Sequence, residues 1–296
     1  MLPSSRRKFS SNLWSLDELR VVQFNILADG LSGKRPDHGG FADLDPACLE
    51  WKTRCGRIIQ EIISASPHVI CLEEVDRPKD FIQHPSFEHF DSVFKSKPHS
   101  PAIEFGGSAD GCLILFDRRR LKRVKPQPDE SFALGPMDNQ VAACVVVEDL
   151  LFPGDMYVIC GAHLKATKSE AGEEVRTRQV DVITDQLNFL CQKYGAVASI
   201  LCSDLNGVPS GTAYKRCTDE KMESCMYELM GGTEPKMTTC KKRGTSVVEH
   251  TIDYIFYDSI KIKPSRFLEI PVDLGCMPSW KYPSDHVMLC VGFVRE

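Results

Sequence analysis

The sequence has no long hydrophobic run. Its richest stretch, around Val145-Val146-Val147, is soon cut by charges, and nothing approaches the ~20 apolar residues that a membrane-spanning helix needs. No membrane role is expected. There is no C-x-x-C pair either: the thirteen cysteines are odd in number, and Cys71, Cys144, Cys160, Cys202 and Cys290 lie inside apolar runs. That is the habit of buried reduced thiols, not of a disulfide framework or a zinc site. Positive charge is not in excess, since 36 Lys and Arg face 41 Asp and Glu for a net charge of −5. A protein whose whole surface clings to nucleic acid is thereby disfavoured, while a local basic cleft is not.

The chain also lacks internal repeats and any Pro/Gly/Ser-rich linker, so its 296 residues read as one α/β domain, 20–296, behind a flexible lead-in, 1–19. That lead-in is basic, serine-containing and free of acids until Asp17, which faintly resembles an organelle transit segment. The expected location is the cytoplasm, with the mitochondrion as alternative. Hydrophobic residues at 42% and charged residues at 26% are ordinary for a globular protein that buries a core.

In chain order, Arg20 to Leu27 reads as a strand with Asn25 near its end, followed by a polar loop, Asp29 to Asp43, long enough to lie over a site. Asp45 and Pro46 form a helix start, and Cys55, Ile58, Ile59, Ile62 and Ile63 repeat at the spacing of one buried helical face. Pro67 stops the helix, and the short strand His68 to Leu72 delivers Glu73, Glu74 and Asp76. Strand, helix, strand implies a parallel pair. Asn25 and Glu74 should then share the edge where α/β sheets place ligands.

Phe87 to Pro101 reads as a looser region. Strands are expected near Gly111–Phe116, Val141–Val147, Met156–Ala162, Val197–Cys202, Thr251–Tyr257 and Val287–Val294, with a second amphipathic helix from about Glu173 to Tyr194. Two basic runs, Arg118 to Arg123 and Lys241-Lys242-Arg243, read as solvated hairpins or loops.

Polar residues recur at or within these strands: Asn25, Glu74, His163, Asp204, Asn206, Asp253 and the Asp285-His286 pair. A buried carboxylate needs a cation, a donor or a role. Oxygen ligands from Asn25, Glu74 and Asp285 suit Mg²⁺ or Mn²⁺, and a magnesium site points to phosphoester chemistry.

The ordered motifs QFN, LEEVD, ADGC, HLKA, SDLNG, HTIDYI and YPSDH, spanning roughly Arg20 to Val294, resemble the exonuclease-endonuclease-phosphatase superfamily. Within it, Lys97-Pro98, Asn139 to Ala142, Thr238 to Lys241 and the segment ending at His286 are most similar to the nocturnin branch. The resemblance implies a four-layer α-β-β-α sandwich of two mixed sheets. It implies Glu74 as principal metal ligand with Asn25 beside it and Asp285 on the metal or its waters. Asp204 would position or activate water, and Asn206 would hold that water and a phosphate oxygen. His286, oriented by Asp253, would face the scissile phosphate, with His163, Lys97 and Lys165 as phosphate contacts and Lys168 beside them.

The implied activity is Mg²⁺-dependent removal of the 2′-phosphate of NADP(H). A 3′-exoribonuclease acting on poly(A) is the enzymatic alternative, and an inactive RNA-associated scaffold the non-enzymatic one. Some positions depart from the branch pattern: Phe24 replaces a common tryptophan, Glu73 a glutamine, Leu205 a phenylalanine and Thr167 an arginine. By strand alternation Glu73 should point away from the metal, and Lys168 is the candidate replacement for the missing arginine charge.

Overall fold

The computed structural model describes residues 15–33, 41, 44–124, 130–135, 139–243, 246–271 and 273–296. Most of the expected lead-in, residues 1–14, and part of the Asp29–Asp43 loop lie outside them.

Two mixed sheets carry the fold. The first runs in the order Ile262–Phe267, Leu289–Arg295, Leu19–Asn25, Val69–Glu73, Gly111–Asp117, Phe90–Ser96. The second runs Glu223–Ser224, Asp253–Ser259, Ala198–Asp204, Met156–His163, Val141–Asp149, Leu121–Arg123, with Phe132–Ala133 also paired to Val141–Asp149. Each sheet contains one parallel pair, Leu19–Asn25 with Val69–Glu73 and Met156–His163 with Ala198–Asp204. Each pair is joined by a helix, Trp51–Ser64 in the first case and Glu170–Tyr194 in the second. This is the crossover geometry that a parallel pair requires.

Strand alternation explains the layering. Val21, Cys71, Ile114, Ile159, Ile200 and Ile255 face inward and form one core between the sheets. Their neighbours Val22, Phe24, Ile70 and Leu72 pack outward against Ile58, Ile59 and Ile62 of the first helix. On the other side Val158, Cys160 and Leu201 pack against Val180, Ile183 and Leu187 of the second helix. The result is the four-layer sandwich, helices outside and sheets within.

Several boundaries differ from the sequence expectation. The first helical segment breaks at Glu50, whose ψ of 128° leaves a short helix Pro46–Leu49, capped by the Asp45 side chain, and a separate helix Trp51–Ser64. Phe90–Ser96, expected as loose, is an edge strand paired with Gly111–Asp117. Its alternation is weak because an edge strand has little to bury on its outer side, and only Val93 is fully buried. Ile262–Phe267 is a further edge strand, unanticipated because its Pro264 sits at a register shift, where a missing N–H is tolerated. The Lys241 run lies on a two-stranded hairpin, Thr239–Arg243 with Ser246–His250. All thirteen cysteines are free thiols. Among the described residues no helix is long and apolar enough to cross a membrane.

Candidate active site

The inward stripe that builds the core turns polar at one sheet edge. Continuing Val21 and Cys71 by two or four residues reaches Asn25 and Glu73, which pair in register. In the second sheet His163, Asp204 and Asp253 stand side by side across three strands. His286 joins through a bridge to Thr239 just before the Leu289–Arg295 strand. Polar groups thus cap the open rim of the inter-sheet core, which is where a substrate can reach them.

Glu74 reaches the rim by breaking alternation. Its φ of 57° is left-handed, a conformation a glutamate adopts only under constraint. The carboxylate accepts from Asn25 Nδ2 at 3.1 Å and from the Ala28 N–H at 3.3 Å. Asn25 Nδ2 also lies 3.0 Å from Asp204 Oδ2, so one amide ties the two carboxylates together. Asp204 Oδ2 is in turn 3.6 Å from His163 Nε2 and 3.9 Å from His286 Nε2. Asn206, also left-handed at φ 50°, donates its N–H to Asp204 Oδ1 at 2.9 Å and its side-chain amide to the Leu164 carbonyl at 3.1 Å.

Behind these lies a buried dyad. His286 Nδ1 sits 3.0 Å from both Asp253 oxygens, and the same carboxylate accepts from Thr238 Oγ1 at 2.6 Å and Gln23 Nε2 at 3.1 Å. Burial disfavours charge on His286, but Asp253, Asp285 and Asp204 outweigh it and raise its pKa to about 9. Asp204 is pushed up to about 7, first by burial and then by Asp253. Glu74 is raised by burial and by Asp285. His163 is driven well below its usual range by burial and by Lys97, and so stays neutral.

Carboxylates raised together in this way are short of positive charge, and their oxygen donors suit a hard divalent ion. Asp204, Asp253 and His286 bring one ligand atom each within 4.8 Å of one another, a grouping that could hold a metal. Asp253, however, is occupied by His286, Thr238 and Gln23. Glu74, Asn25 and Asp204 are tied together at the rim, and Asp285 joins them there beside Lys241 and His286.

The lysines divide. Lys97 is buried, 2.6 Å from Asp110 Oδ2, and Asp110 is also bonded by the Ser100 hydroxyl. The ADGC motif therefore anchors Lys97. Its glycine is required by close packing, because a Cβ at Gly111 would fall 2.1 Å from the Lys95 carbonyl oxygen. Lys165 is half-buried and Lys168 exposed; among the described residues neither side chain bonds to the groups above. Thr167 gives its carbonyl to Arg176, 2.8 Å away, whose guanidinium is held by Glu173 and does not replace the missing arginine.

Several residues escaped the sequence reading. Lys241 lies at the rim, 2.7 Å from Asp285 Oδ2. Gln23 joins Glu73, at 2.9 Å, to Asp253. Glu73 lies on the inward face of its strand, in the floor beneath the rim, where it is fully buried and burial pushes its pKa well up. Arg54 is wholly buried and donates to the carbonyls of Ile26 and Leu27 at 2.9 Å each, and of Leu49 at 3.2 Å. It thereby fixes the chain just beyond Asn25. A signal existed in the charge: an arginine on the buried face of an otherwise apolar helix needs a reason. Tyr282 is a core residue with its ring centroid 6.1 Å from that of Phe24.

No family model matches the chain. Its relatives include nocturnin of Xenopus laevis, 32% identical over 93% of this chain and 72% of that protein. Human nocturnin is 31% identical over 93% of this chain, which spans 65% of the human protein's length. Among solved structures, the human nocturnin catalytic domain with bound sulfate anion superposes with a TM-score of 0.79 at 28% identity, covering 99% of each chain. With the rim geometry these likenesses place the chain, which belongs to the nocturnin-like branch of the exonuclease-endonuclease-phosphatase superfamily of metal-dependent phosphoester hydrolases.

Proposed function

We propose that this chain removes the 2′-phosphate of NADP(H), using Mg²⁺, with Mn²⁺ as the alternative. The observation that carries the reading is the opposition of His286 and Asp204 across 3.9 Å, one raised to about 9 and the other to about 7. Near neutral pH this leaves an imidazolium that can meet a phosphoryl oxygen and a carboxylate poised to take a proton from water.

Glu74, Asn25 and Asp285 would hold the metal, which would supply Lewis-acid stabilisation of the phosphoryl oxygens. Asp204 orients the water and accepts its proton, while Asn206 steadies that water. As the water oxygen bonds to phosphorus, the ester bond to the 2′ oxygen breaks, and charge on the departing group is met by His286. Asp253 holds His286 through Nδ1, and neutral His163, 3.6 Å from Asp204 Oδ2, would donate to a phosphoryl oxygen. Lys97, held by Asp110, and the more exposed Lys165 and Lys168 would be the phosphate contacts.

Support for a small nucleotide comes from the net charge of −5, since a run of RNA phosphates calls for a broad basic channel. Sulfate binding by the human domain is consistent with an anion pocket in this fold. Thirteen free thiols fit a reducing location, cytoplasmic or mitochondrial. The test is purified protein with Mg²⁺, offered NADPH and oligo(A) separately beside a Glu74→Ala control. Phosphate released from NADPH alone supports the proposal; shortening of oligo(A) alone replaces it with the exonuclease. Absence of Mg²⁺-dependent turnover of either would favour a scaffold.

A further inference from the structure

Lys241 shares the Asp285 carboxylate with a second positive group. Its Nζ lies 2.7 Å from Asp285 Oδ2, and that same oxygen is 3.8 Å from His286 Nε2. The lysine retains a fifth of its side-chain exposure while Asp285 keeps 5%, so the ammonium is on the solvent side of the pair. It comes from the Thr239–Arg243 strand, pinned at the rim because Thr239 Oγ1 donates to the Asp285 carbonyl at 2.7 Å. Thr238 Oγ1 fastens the preceding residue to Asp253 at 2.6 Å. The strand is fixed at its base, and Lys241 extends a flexible four-carbon stem from it.

We propose that Lys241 is the exchangeable counter-ion of the site: it neutralises Asp285 in the metal-free protein and moves onto phosphoryl oxygens when a divalent ion takes over that carboxylate. The proposal deepens the hydrolase reading above and rests on it for the phosphate half. The chemistry is that of an ammonium, a compact point charge with three donors and several rotatable bonds, able to change partners without moving the backbone. Two cations cannot share one carboxylate oxygen closely without mutual repulsion. Besides Asp285, Asp204 and Glu74 are the carboxylates near enough to act on the Lys241 charge. Lys97 is unsuited to this task because its buried pair with Asp110 keeps it in place.

The test uses the full chain with Lys241→Met and Lys241→Arg, checking by circular dichroism and thermal melting that both fold. Calorimetric titration with Mn²⁺ comes first. Removing the competing charge should tighten Mn²⁺ binding about tenfold in the methionine variant, and arginine should restore the weaker binding. The Mn²⁺-saturated proteins are then titrated with inorganic phosphate, which the methionine variant should bind at least tenfold more weakly. A merely structural lysine would weaken both ligands or neither. Unchanged or weaker Mn²⁺ binding in the methionine variant overturns the counter-ion role. Unchanged phosphate binding overturns the transfer. Neither readout needs NADPH turnover, so failure of the substrate assignment is seen separately.

Discussion

Replacing Asp253 with asparagine tests the coupling on which the proposed chemistry depends. In the native protein the Asp253 carboxylate meets His286 Nδ1 at 3.0 Å through both oxygens and is itself almost fully buried. His286 is raised from 6.5 to about 9 although burial opposes its charge, and Asp253 is the largest of the carboxylates that overcome it. A rise of that size corresponds to at most about 3 kcal/mol between the two protonation states. Asparagine keeps the volume and removes the charge, so the imidazole pKa should fall to its ordinary value or below and the ring should lose its fixed orientation. If most of that energy is expressed in the transition state, kcat drops roughly 100-fold. The assay is kcat against pH from 6 to 9.5, on whichever phosphoester the protein turns over.

The native profile should lose activity on an alkaline limb near 9, and the variant should show that limb shifted to lower pH. Stability offers a second reading with a definite sign. Because the folded-state pKa of His286 lies above its unfolded value, its contribution is complete below about 6.5 and is lost as pH rises through about 9. The metal-free native protein should therefore lose melting temperature across that window, and Asp253→Asn should lose less. A variant with kcat within threefold of native and an unmoved alkaline limb would refute the dyad.

Two further predictions separate roles that the sequence left together. Lys97→Met leaves Asp110 buried without its cation and should cost about 3 to 5 kcal/mol of stability, read as a lowered denaturant midpoint, whereas half-buried Lys165→Met should unfold as native does and reduce kcat/KM about tenfold. Equal stability of the two would mean that Asp110 is satisfied by Ser100 alone. Arg54→Met strips hydrogen bonds from the carbonyls of Ile26, Leu27 and Leu49, and should destabilise by more than 3 kcal/mol. A more stable variant would show instead that desolvating the guanidinium outweighs its bonds.

Asn25, Asp204 and Asp253 were legible because each ends or begins a strand whose inward positions are apolar, so a polar residue in that stripe is conspicuous. The crossover helices and the two parallel pairs followed from the same alternation. What period-two reading could not supply was the effect of a change in backbone sign. Glu73 was expected to face away from Glu74, as neighbours on a strand do. At φ 57° Glu74 no longer belongs to the strand, and Glu73 keeps the inward position for itself. Lys241 was illegible for a different reason: it acts through a residue 44 positions away in sequence, and composition gives a lysine in a basic run no mark of its partner.

Gln23 spends both amide hydrogens, one on Glu73 at 2.9 Å and one on Asp253 at 3.1 Å, and these residues come from different sheets. The amide is thus a strut across the inter-sheet core, directly under the His286 dyad. Burial, with Cys71 and Asp253 beside it, pushes the Glu73 carboxyl well up, which favours its neutral form next to the carboxylate that holds His286. A glutamine at position 73 would be neutral at every pH, and a glutamate there is neutral only while it is buried. The carboxyl in place of an amide therefore leaves the dyad's charge intact while making it depend on how dry the floor is kept. That dryness comes from Cys71, Cys112 and Cys202 packed around it in the core, which ties the electrostatics of the rim to the packing between the sheets.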